Sequence, residues 1–224
     1  MNRSDSSLPW GSHPVDASIT VAMLSDSCDR AGLRSQVLET RLAPLVPLSR
    51  VSGRARTAQF VTDSNVDPER PYDDAIDFID SASPGELICI ATDESNASAF
   101  WGELFSAAAR GRKAVGMLTD GNIRDSDKIE ALGFSVFSRG RRPIDFRGRM
   151  RLASHQSAVV IGGVEICPGD LVAADDDGVV VIPQAHESEI VALARERASG
   201  ESTVLDELLA GSTLRAVWTK HGIL

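Results

Sequence analysis

Three side chains in the middle of the chain could act together in a reaction. Arg124 and Asp125 stand next to each other, and Glu103 lies one predicted helix and strand before them. An aspartate can bind Mg²⁺, a hard cation that prefers oxygen ligands and keeps several of its waters, so few protein carboxylates are needed. The planar guanidinium of an arginine can bind a substrate carboxylate through two hydrogen bonds. These residue types therefore indicate a metal-assisted reaction on a carboxylic acid.

The same residues also have a purely structural interpretation. Asp125 would then cap the helix that it begins. Arg124 would form a solvated ion pair with Glu130 or with another acid on the surface. The sequence pattern leaves both interpretations open.

Other catalytic arrangements are weaker in this sequence. None of the three lysines, Lys113, Lys128 and Lys220, lies in an apolar strand, where its ammonium group would be desolvated enough to lose a proton. A lysine imine is therefore not expected, and any carbon–carbon chemistry would depend on a metal. The run Asp175-Asp176-Asp177-Gly178 looks like an acidic metal cluster, but a hairpin turn between two apolar strands explains it better.

The composition of the whole chain excludes several classes of protein. Its 224 residues carry a formal net charge of −9, which argues against a surface that binds nucleic acid. Arginines are concentrated over 139–151, where they either bind an anion or form solvated charges on an interface loop. The widely spaced Cys28, Cys89 and Cys167 indicate buried, reduced thiols in a cytoplasmic protein. No segment has the roughly 18 apolar residues of a membrane span, so we expect a soluble protein.

The elements around the three candidate residues follow the pattern of parallel βα units. We predict strands over 52–62, 86–92, 114–118 and 134–138, and helices over 19–33, 73–82, 97–110 and 126–132. A Gly-containing turn after the strand 114–118 is expected to carry Arg124 and Asp125 to the start of the next helix. Ligands bind where parallel strands end and helices begin, so we expect the active site there.

The second half of the chain has a different pattern. Strands are predicted over 158–161, 164–166, 171–174 and 179–182, with turns typical of antiparallel hairpins. Two amphipathic helices follow over 185–198 and 203–209, and helices of this kind often make subunit contacts. Residues 1–15 are polar and Ser-rich, and we expect them to form a flexible segment. We therefore predict one α/β domain over 16–224, with its C-terminal helices within 185–210.

Several segments in a fixed order resemble one family of proteins. They are Trp101-Gly102-Glu103-Leu104, Thr119-Asp120-Gly121-Asn122-Ile123-Arg124-Asp125, Gly133-Phe134-Ser135-Val136-Phe137-Ser138-Arg139-Gly140, and Pro168-Gly169-Asp170-Leu171 with 175–183. Together they resemble the 4-hydroxy-4-methyl-2-oxoglutarate aldolases and the related regulator of ribonuclease activity A, over residues 19–201. The resemblance implies an α/β fold with a swivelling β/β/α core, assembled as a homotrimer or homohexamer.

The resemblance also implies an activity, that of a class II, metal-dependent pyruvate aldolase. Such enzymes use Mg²⁺, Mn²⁺ or another divalent metal to cleave 4-hydroxy-2-oxo acids to pyruvate, often with oxaloacetate decarboxylation. Asp125 matches the metal ligand of the family, and Arg124 matches the residue that binds the substrate and stabilises charge. Backbone amides of Gly102, Glu103 and Leu104 would receive the pyruvyl oxygens.

Two positions depart from the family pattern. Glu103 stands where the family's aldolases have an acidic residue, typically Asp, that holds metal-bound water, and its side chain is longer by one methylene group. Lys128 stands where many relatives have an acid. In this family an acid from the C-terminal helix of a neighbouring subunit often completes the surroundings of the metal, and Glu196 or Glu201 could do so here.

A second function is compatible with the same resemblance. The regulator branch of the family inhibits a ribonuclease or its partner helicase by protein binding and needs no catalysis. That branch lacks the full set of acid, arginine and aspartate. Because Glu103, Arg124 and Asp125 are all present here, the enzyme is favoured over the non-catalytic regulator.

Overall fold

A computed structural model describes residues 15, 17–63, 65–67 and 69–223. The segment 1–15, predicted to be flexible, lies outside these residues except for Val15, whose side chain packs in the core. The helices are α1 Val21–Arg30, α2 Asp73–Asp80, α3 Glu103–Gly111, α4 Ser126–Leu132, α5 Glu187–Leu209 and α6 Leu214–His221. The strands are β1 Ala43–Pro44, β2 Val51–Thr62, β3 Glu86–Ala91, β4 Ala99–Trp101, β5 Gly116–Ile123, β6 Ser135–Arg141, β7 Met150–His155, β8 Val159–Ile161, β9 Val164–Ile166, β10 Leu171–Asp175 and β11 Gly178–Ile182.

Nine of the strands form one mixed sheet. Its order is β1-β6-β5-β3-β2-β10-β11, with β4 beside β5 and β7 beside β2, while β8 and β9 form a separate hairpin. The pairs β2–β3, β3–β5, β5–β6 and β4–β5 are parallel, and the pairs made by β1, β7, β10 and β11 are antiparallel. The predicted α/β fold, with parallel βα units followed by an antiparallel portion, is therefore confirmed.

Buried apolar side chains cover both faces of the parallel strands. Met117 packs with α2, α3 and α4 on one face, whereas its neighbour Leu118 packs with the β8–β9 hairpin and β11 on the other. This alternation is the ordinary consequence of successive strand residues pointing to opposite faces. A third group, which includes Leu24 and Ile182, joins α1 and α5 to β10 and β11. Every position of β5 is buried as a result.

The helix predicted over 97–110 starts later than expected. Ala99–Trp101 is the strand β4, and the helix α3 begins only at Glu103. Ala99 pairs with Asn122, and Trp101 pairs with Ile123, both in parallel. The bulky Trp101 ring is buried in the core, a placement that favours an extended backbone over the alanine-rich helical pattern that follows.

The strand predicted to end at Leu118 is longer than expected. It continues through the predicted Gly-containing turn to Ile123. The polar residues in this extension have partners: the carboxylate of Asp120 accepts hydrogen bonds from the backbone N–H and the hydroxyl of Thr92, at 2.7 and 2.8 Å. Burial nevertheless raises the pKa of Asp120 above its usual range. Gly121 sits against Thr92, where a β-carbon would lie 2.8 Å from the hydroxyl oxygen.

The C-terminal part also differs from prediction. The two helices predicted over 185–198 and 203–209 are one continuous helix, α5, and the helix α6 was not predicted. The Asp175–Gly178 run is a hairpin turn, as predicted, and the carboxylate of Asp175 accepts hydrogen bonds from the backbone N–H groups of Val21 and Asp177. Among the described helices, none combines the length and the apolar character that crossing a membrane requires.

The cysteines are partly as predicted. Cys28 and Cys89 are buried, and burial raises the pKa of the Cys28 thiol to about 11. Cys167 is only half-buried. All three are free thiols in this chain.

Candidate active site

The strands β4 and β5 end side by side, and this pairing brings the candidate residues together. The backbone N–H of Arg124 donates to the carbonyl of Trp101 at 2.9 Å. Glu103 then begins α3 immediately after Gly102, and Asp125 precedes α4. The starts of two helices and the ends of two parallel strands therefore meet at one edge of the sheet, which is the arrangement expected of a ligand site in α/β proteins.

Asp125 connects the two helix starts. Its backbone is left-handed, with φ of 56°, and its side chain makes no capping hydrogen bond within the described helix α4. Its Oδ2 instead accepts a hydrogen bond from the backbone N–H of Glu103 at 3.3 Å. The structural interpretation in which Asp125 caps its own helix is therefore wrong. The carboxylate lies at the N-terminus of α3, where the helix dipole favours negative charge.

Gly102 leaves the space that this contact needs. Its backbone is extended, so any residue could adopt its conformation. A β-carbon at this position, however, would lie 2.6 Å from Oδ2 of Asp125 and 3.2 Å from Cγ of Arg124. A glycine is therefore required here by the close approach of the two side chains and not by the backbone angle.

Glu103 is paired with the unexpected lysine. Its carboxylate accepts a hydrogen bond from Nζ of Lys128 at 3.0 Å, across the gap between α3 and α4. This contact raises the pKa of Lys128, and the nearby Asp125 adds to the effect. Both side chains are solvent-exposed, so the pair can open when a ligand binds.

Arg124 lies between two carboxylates. Its Nε is 3.8 Å from Oδ2 of Asp125, and its Nη2 is 3.7 Å from Oδ2 of Asp145. In the described part of the chain, its acidic partners are thus these two residues and not Glu130, so the expected pairing with another surface acid is formed. Oδ2 of Asp145 also accepts a hydrogen bond from the hydroxyl of Tyr72 at 2.5 Å.

Asp145 and Tyr72 were not among the predicted site residues. Asp145 lies in the loop noted for its arginines, where the positive residues obscured the single acid. Tyr72 precedes α2, far from the site in sequence, and no spacing or motif connects it with Arg124. Only the packed fold brings these residues together.

The arginines over 139–151 mostly bind groups of the same chain, and the loop itself spans only 142–149, because β6 continues to Arg141 and β7 begins at Met150. Arg142 donates to the backbone carbonyl of Asn96, and Arg139 pairs with Glu94, which fastens the loop before β4. Arg151 pairs with Asp63 at 2.8 Å. These contacts agree better with a structural role than with an anion-binding patch.

The donor groups at this edge suit a hard divalent cation. No group of three or more His, Cys, Asp and Glu side chains converges on a metal position within the described residues. A zinc-type site with several protein ligands is therefore not formed by these residues alone. Mg²⁺ needs only one or two protein carboxylates, since water and substrate oxygens supply the rest. Asp125, placed beside a helix N-terminus and an exposed surface, fits that requirement.

Comparisons with known proteins show which family the sequence resembles. The sequence profile of the RraA-like family, described as Aldolase/RraA, matches residues 21–181. A protein of Halalkalibacterium halodurans named "Putative 4-hydroxy-4-methyl-2-oxoglutarate aldolase" is 30% identical over 196 residues, which cover 86% of this chain and 88% of that protein. Protein DlpA of Legionella pneumophila is 28% identical over 86% of this chain, but the match spans only 31% of DlpA.

A solved structure extends the comparison to the fold. It is that of Streptomyces coelicolor RraAS2, described as an unusual member of the RNase ES inhibitor RraA protein family. The two structures superpose with a TM-score of 0.73 at 25% sequence identity, and the match covers 83% of this chain and 90% of the other.

Proposed function

Because the chain belongs to the RraA-like (Aldolase/RraA) family, we propose that it is a divalent-metal-dependent aldolase that cleaves 4-hydroxy-2-oxo acids to pyruvate. Compounds such as 4-hydroxy-4-methyl-2-oxoglutarate are the expected substrates, with oxaloacetate decarboxylation as a related activity. One observation carries the proposal: Arg124 and the carboxylate of Asp125 converge on the N-terminus of α3. A cationic group, a carboxylate for a metal and backbone N–H groups that favour anions are thus available within one small region.

The start of α3 is suited to hold the carboxylate of a 2-oxo acid. The first backbone N–H groups of a helix lack intrahelical partners and favour anions. We assign the pyruvyl oxygens to the amides of Gly102, Glu103 and Leu104. The N–H of Glu103 donates to Asp125 at 3.3 Å in the free chain and would turn from that carboxylate to the substrate on binding. Leu104 is largely exposed, which leaves this surface open to a ligand.

Arg124 would stabilise the charge that develops during cleavage. When the bond between C3 and C4 breaks, its electron pair passes to the pyruvate fragment, and negative charge grows on the 2-oxo oxygen of the resulting enolate. A guanidinium held in place beside that oxygen stabilises this charge. Asp125 would hold the divalent cation, Mg²⁺ or Mn²⁺, which when bound acts as a Lewis acid on the 2-oxo acid.

Glu103 would act as the general base and acid in the reaction. Cleavage requires the C4 hydroxyl to lose a proton as C4 becomes a carbonyl, and the enolate must later gain one at C3. The Glu103 carboxylate, at the start of α3, would accept the first proton through a water and return it. Its ion pair with Lys128 must open or shift for this step.

The protein would act as a homotrimer or homohexamer. Large apolar side chains on the last two helices are exposed in the single chain, namely Leu205, Leu209, Leu214 and Trp218. Such a surface is typical of a subunit contact. Glu196 and Glu201, the candidates for reaching a neighbouring site, pair with Arg30 and Arg197 of their own chain. Light scattering of the purified protein would measure the assembly.

The alternative is a non-catalytic regulator of ribonuclease activity that acts by protein binding. The superposition with RraAS2 favours it, since that protein is described within a family of ribonuclease inhibitors. One assay separates the two functions: release of pyruvate from oxaloacetate and from 4-hydroxy-4-methyl-2-oxoglutarate, with Mg²⁺ and with a chelator. Release that the chelator abolishes supports the aldolase. Absence of release from both substrates would contradict it and favour the regulator.

A further inference from the structure

The guanidinium of Arg124 forms an ion pair with a second carboxylate, that of Asp145, which in turn accepts a hydrogen bond from the phenol of Tyr72. We propose that Tyr72 and Asp145 are positioning residues that fix the guanidinium of Arg124 for the 2-oxo acid, an inference that rests on the proposed function of Arg124. Neither residue need touch the substrate. Their effect would pass through the orientation of the arginine.

A series of contacts leads from Tyr72 through Asp145 to Arg124. The hydroxyl of Tyr72 donates to Oδ2 of Asp145 at 2.5 Å, and the same oxygen faces Nη2 of Arg124 at 3.7 Å. The other oxygen, Oδ1, accepts from the backbone N–H of Arg147 at 3.4 Å. The carboxylate of Asp145 is thus constrained at both oxygens. At 3.7 Å its Oδ2 attracts Nη2 of Arg124 without a hydrogen bond, which favours one orientation of the guanidinium and leaves that N–H donor for a ligand.

Core packing fixes the position of the Tyr72 ring. The ring of Tyr72 contacts that of Phe146 edge-on, with centroids 5.1 Å apart. Phe146 is buried and packs edge-on against Phe60 of β2 at 5.6 Å. Edge-to-face aromatic contacts of this kind favour one ring orientation. The hydroxyl therefore points at Asp145 from a rigid support.

The loop that carries Asp145 is hydrogen-bonded to the strand β4, which leads into the candidate site. The residue before Asp145, Ile144, accepts a hydrogen bond from the N–H of Ala99 at 2.7 Å, at the start of β4. The strand β4 leads directly into Gly102 and α3. The loop that carries Asp145 and the helix start that would bind the substrate thus share one attachment, so the position of Arg124 is set relative to that helix start.

The ion pair between Arg124 and Asp145 contributes little to the stability of the fold, so stability does not explain why the two side chains are placed together. The side chains of Arg124 and Asp145 are 38% and 30% exposed, and ion pairs of that exposure contribute little to folding. A misplacement of about 1 Å by a residue outside the chemistry can nevertheless lower activity by as much as about a hundredfold. The geometry is therefore better explained by the orientation of Arg124 than by the energy of the pair.

The test is a double-mutant cycle in the full-length, Mg²⁺-loaded protein. Asp145→Asn and Tyr72→Phe are made in the wild type and in an Arg124→Lys background, with oxaloacetate as substrate. In the wild type we expect kcat to fall about tenfold for Asp145→Asn and about threefold for Tyr72→Phe, with KM changed less than about twofold. In the Arg124→Lys background neither change should lower kcat further, because the positioned group is already gone.

The control is Asp80→Asn. Asp80 ends α2, the helix that Tyr72 precedes, and its exposed carboxylate pairs with Arg112 at 3.3 Å, so the substitution also removes an acid from an arginine. It should leave kcat unchanged. Tyr72→Phe keeps the ring contact with Phe146, so its fold is expected to survive, and thermal unfolding of each variant checks this.

The outcomes distinguish the inference from the function on which it rests. Equal losses in the wild-type and Arg124→Lys backgrounds would overturn the inference, as would unchanged kcat for both variants in an active wild type. Absence of pyruvate release from the wild type itself would overturn the proposed function, and the inference with it.

Discussion

The carboxylate of Asp125, which precedes α4, accepts a hydrogen bond from the backbone N–H of Glu103, which begins α3. One side chain thus joins two βα units of the parallel sheet. The cost is a left-handed backbone at a non-glycine residue, a conformation that is uncommon and disfavoured. Aspartate adopts this conformation more readily than most residues, and the conformation places its carboxylate between the two helix starts.

Asp125→Asn should abolish metal-dependent activity while the fold persists. Asparagine tolerates the left-handed backbone, so unfolding should be little affected, whereas loss of the charge should lower kcat for pyruvate release by at least about a hundredfold. Asp125→Ala should lose activity as well, with an added loss of stability from the backbone angle. The neighbouring acid Asp127, changed to Asn, is the control. Full activity in both Asp125 variants, measured with Mg²⁺, would contradict the assignment of Asp125 as the metal ligand.

Gly102→Ala should lower activity more than stability. The added methyl group would push against Asp125 and Arg124 at 2.6 and 3.2 Å, while the extended backbone accepts alanine without strain. We expect kcat/KM to fall at least about tenfold. Gly111→Ala, at the end of the same helix, meets no atom within 4 Å and should be neutral in activity and slightly stabilising. Equal activity of the two variants would show that the space at Gly102 is not needed.

The sequence alone predicts those positions in the site that are determined by neighbouring residues in the chain. Arg124 and Asp125 are adjacent in the chain, and the apolar run before them predicts a buried strand, so their position at the sheet edge follows from periodicity. The predicted helix over 97–110 places Glu103 within a helix, whereas in the structure Glu103 begins α3. The bounds of α4 were predicted without error, because Gly133 ends that helix with a left-handed backbone.

The rest of the site depends on contacts between distant segments. The strand β4 is three residues long and precedes an alanine-rich helix, so local propensity extends the helix over it. Its strand character comes from pairing with β5 and burial of Trp101, which periodicity does not reveal. Asp145 and Tyr72 are brought to Arg124 by the packing of Phe146, and no local pattern encodes that approach.

Two variants, Glu103→Gln and Lys128→Gln, distinguish the role of the Glu103 carboxylate from the role of its ion pair with Lys128. Glutamine keeps the size of the side chain but cannot accept a proton, so we expect kcat to fall by about a hundredfold if the carboxylate acts as the base. Lys128→Gln breaks the same ion pair but keeps the carboxylate, and the pair is exposed. Its activity should therefore stay within about threefold of the wild type. Equal losses in the two variants would show that the pair, and not the carboxylate, matters.

Tyr72 provides a direct spectroscopic test of its contact with Asp145, because it is the chain's one tyrosine. Burial, then the hydrogen bond to Asp145 and the charge of that carboxylate, raise the pKa of Tyr72 above its ordinary value of 10.0. Absorbance of the tyrosinate should therefore rise at a higher pH than in the unfolded chain, and Asp145→Asn should lower the midpoint. Since the native pKa is raised, the protonated phenol stabilises the fold below pH 10, and that contribution is lost as the pH rises through the native pKa. Identical midpoints in the wild type and in Asp145→Asn would mean that the two side chains do not interact in solution.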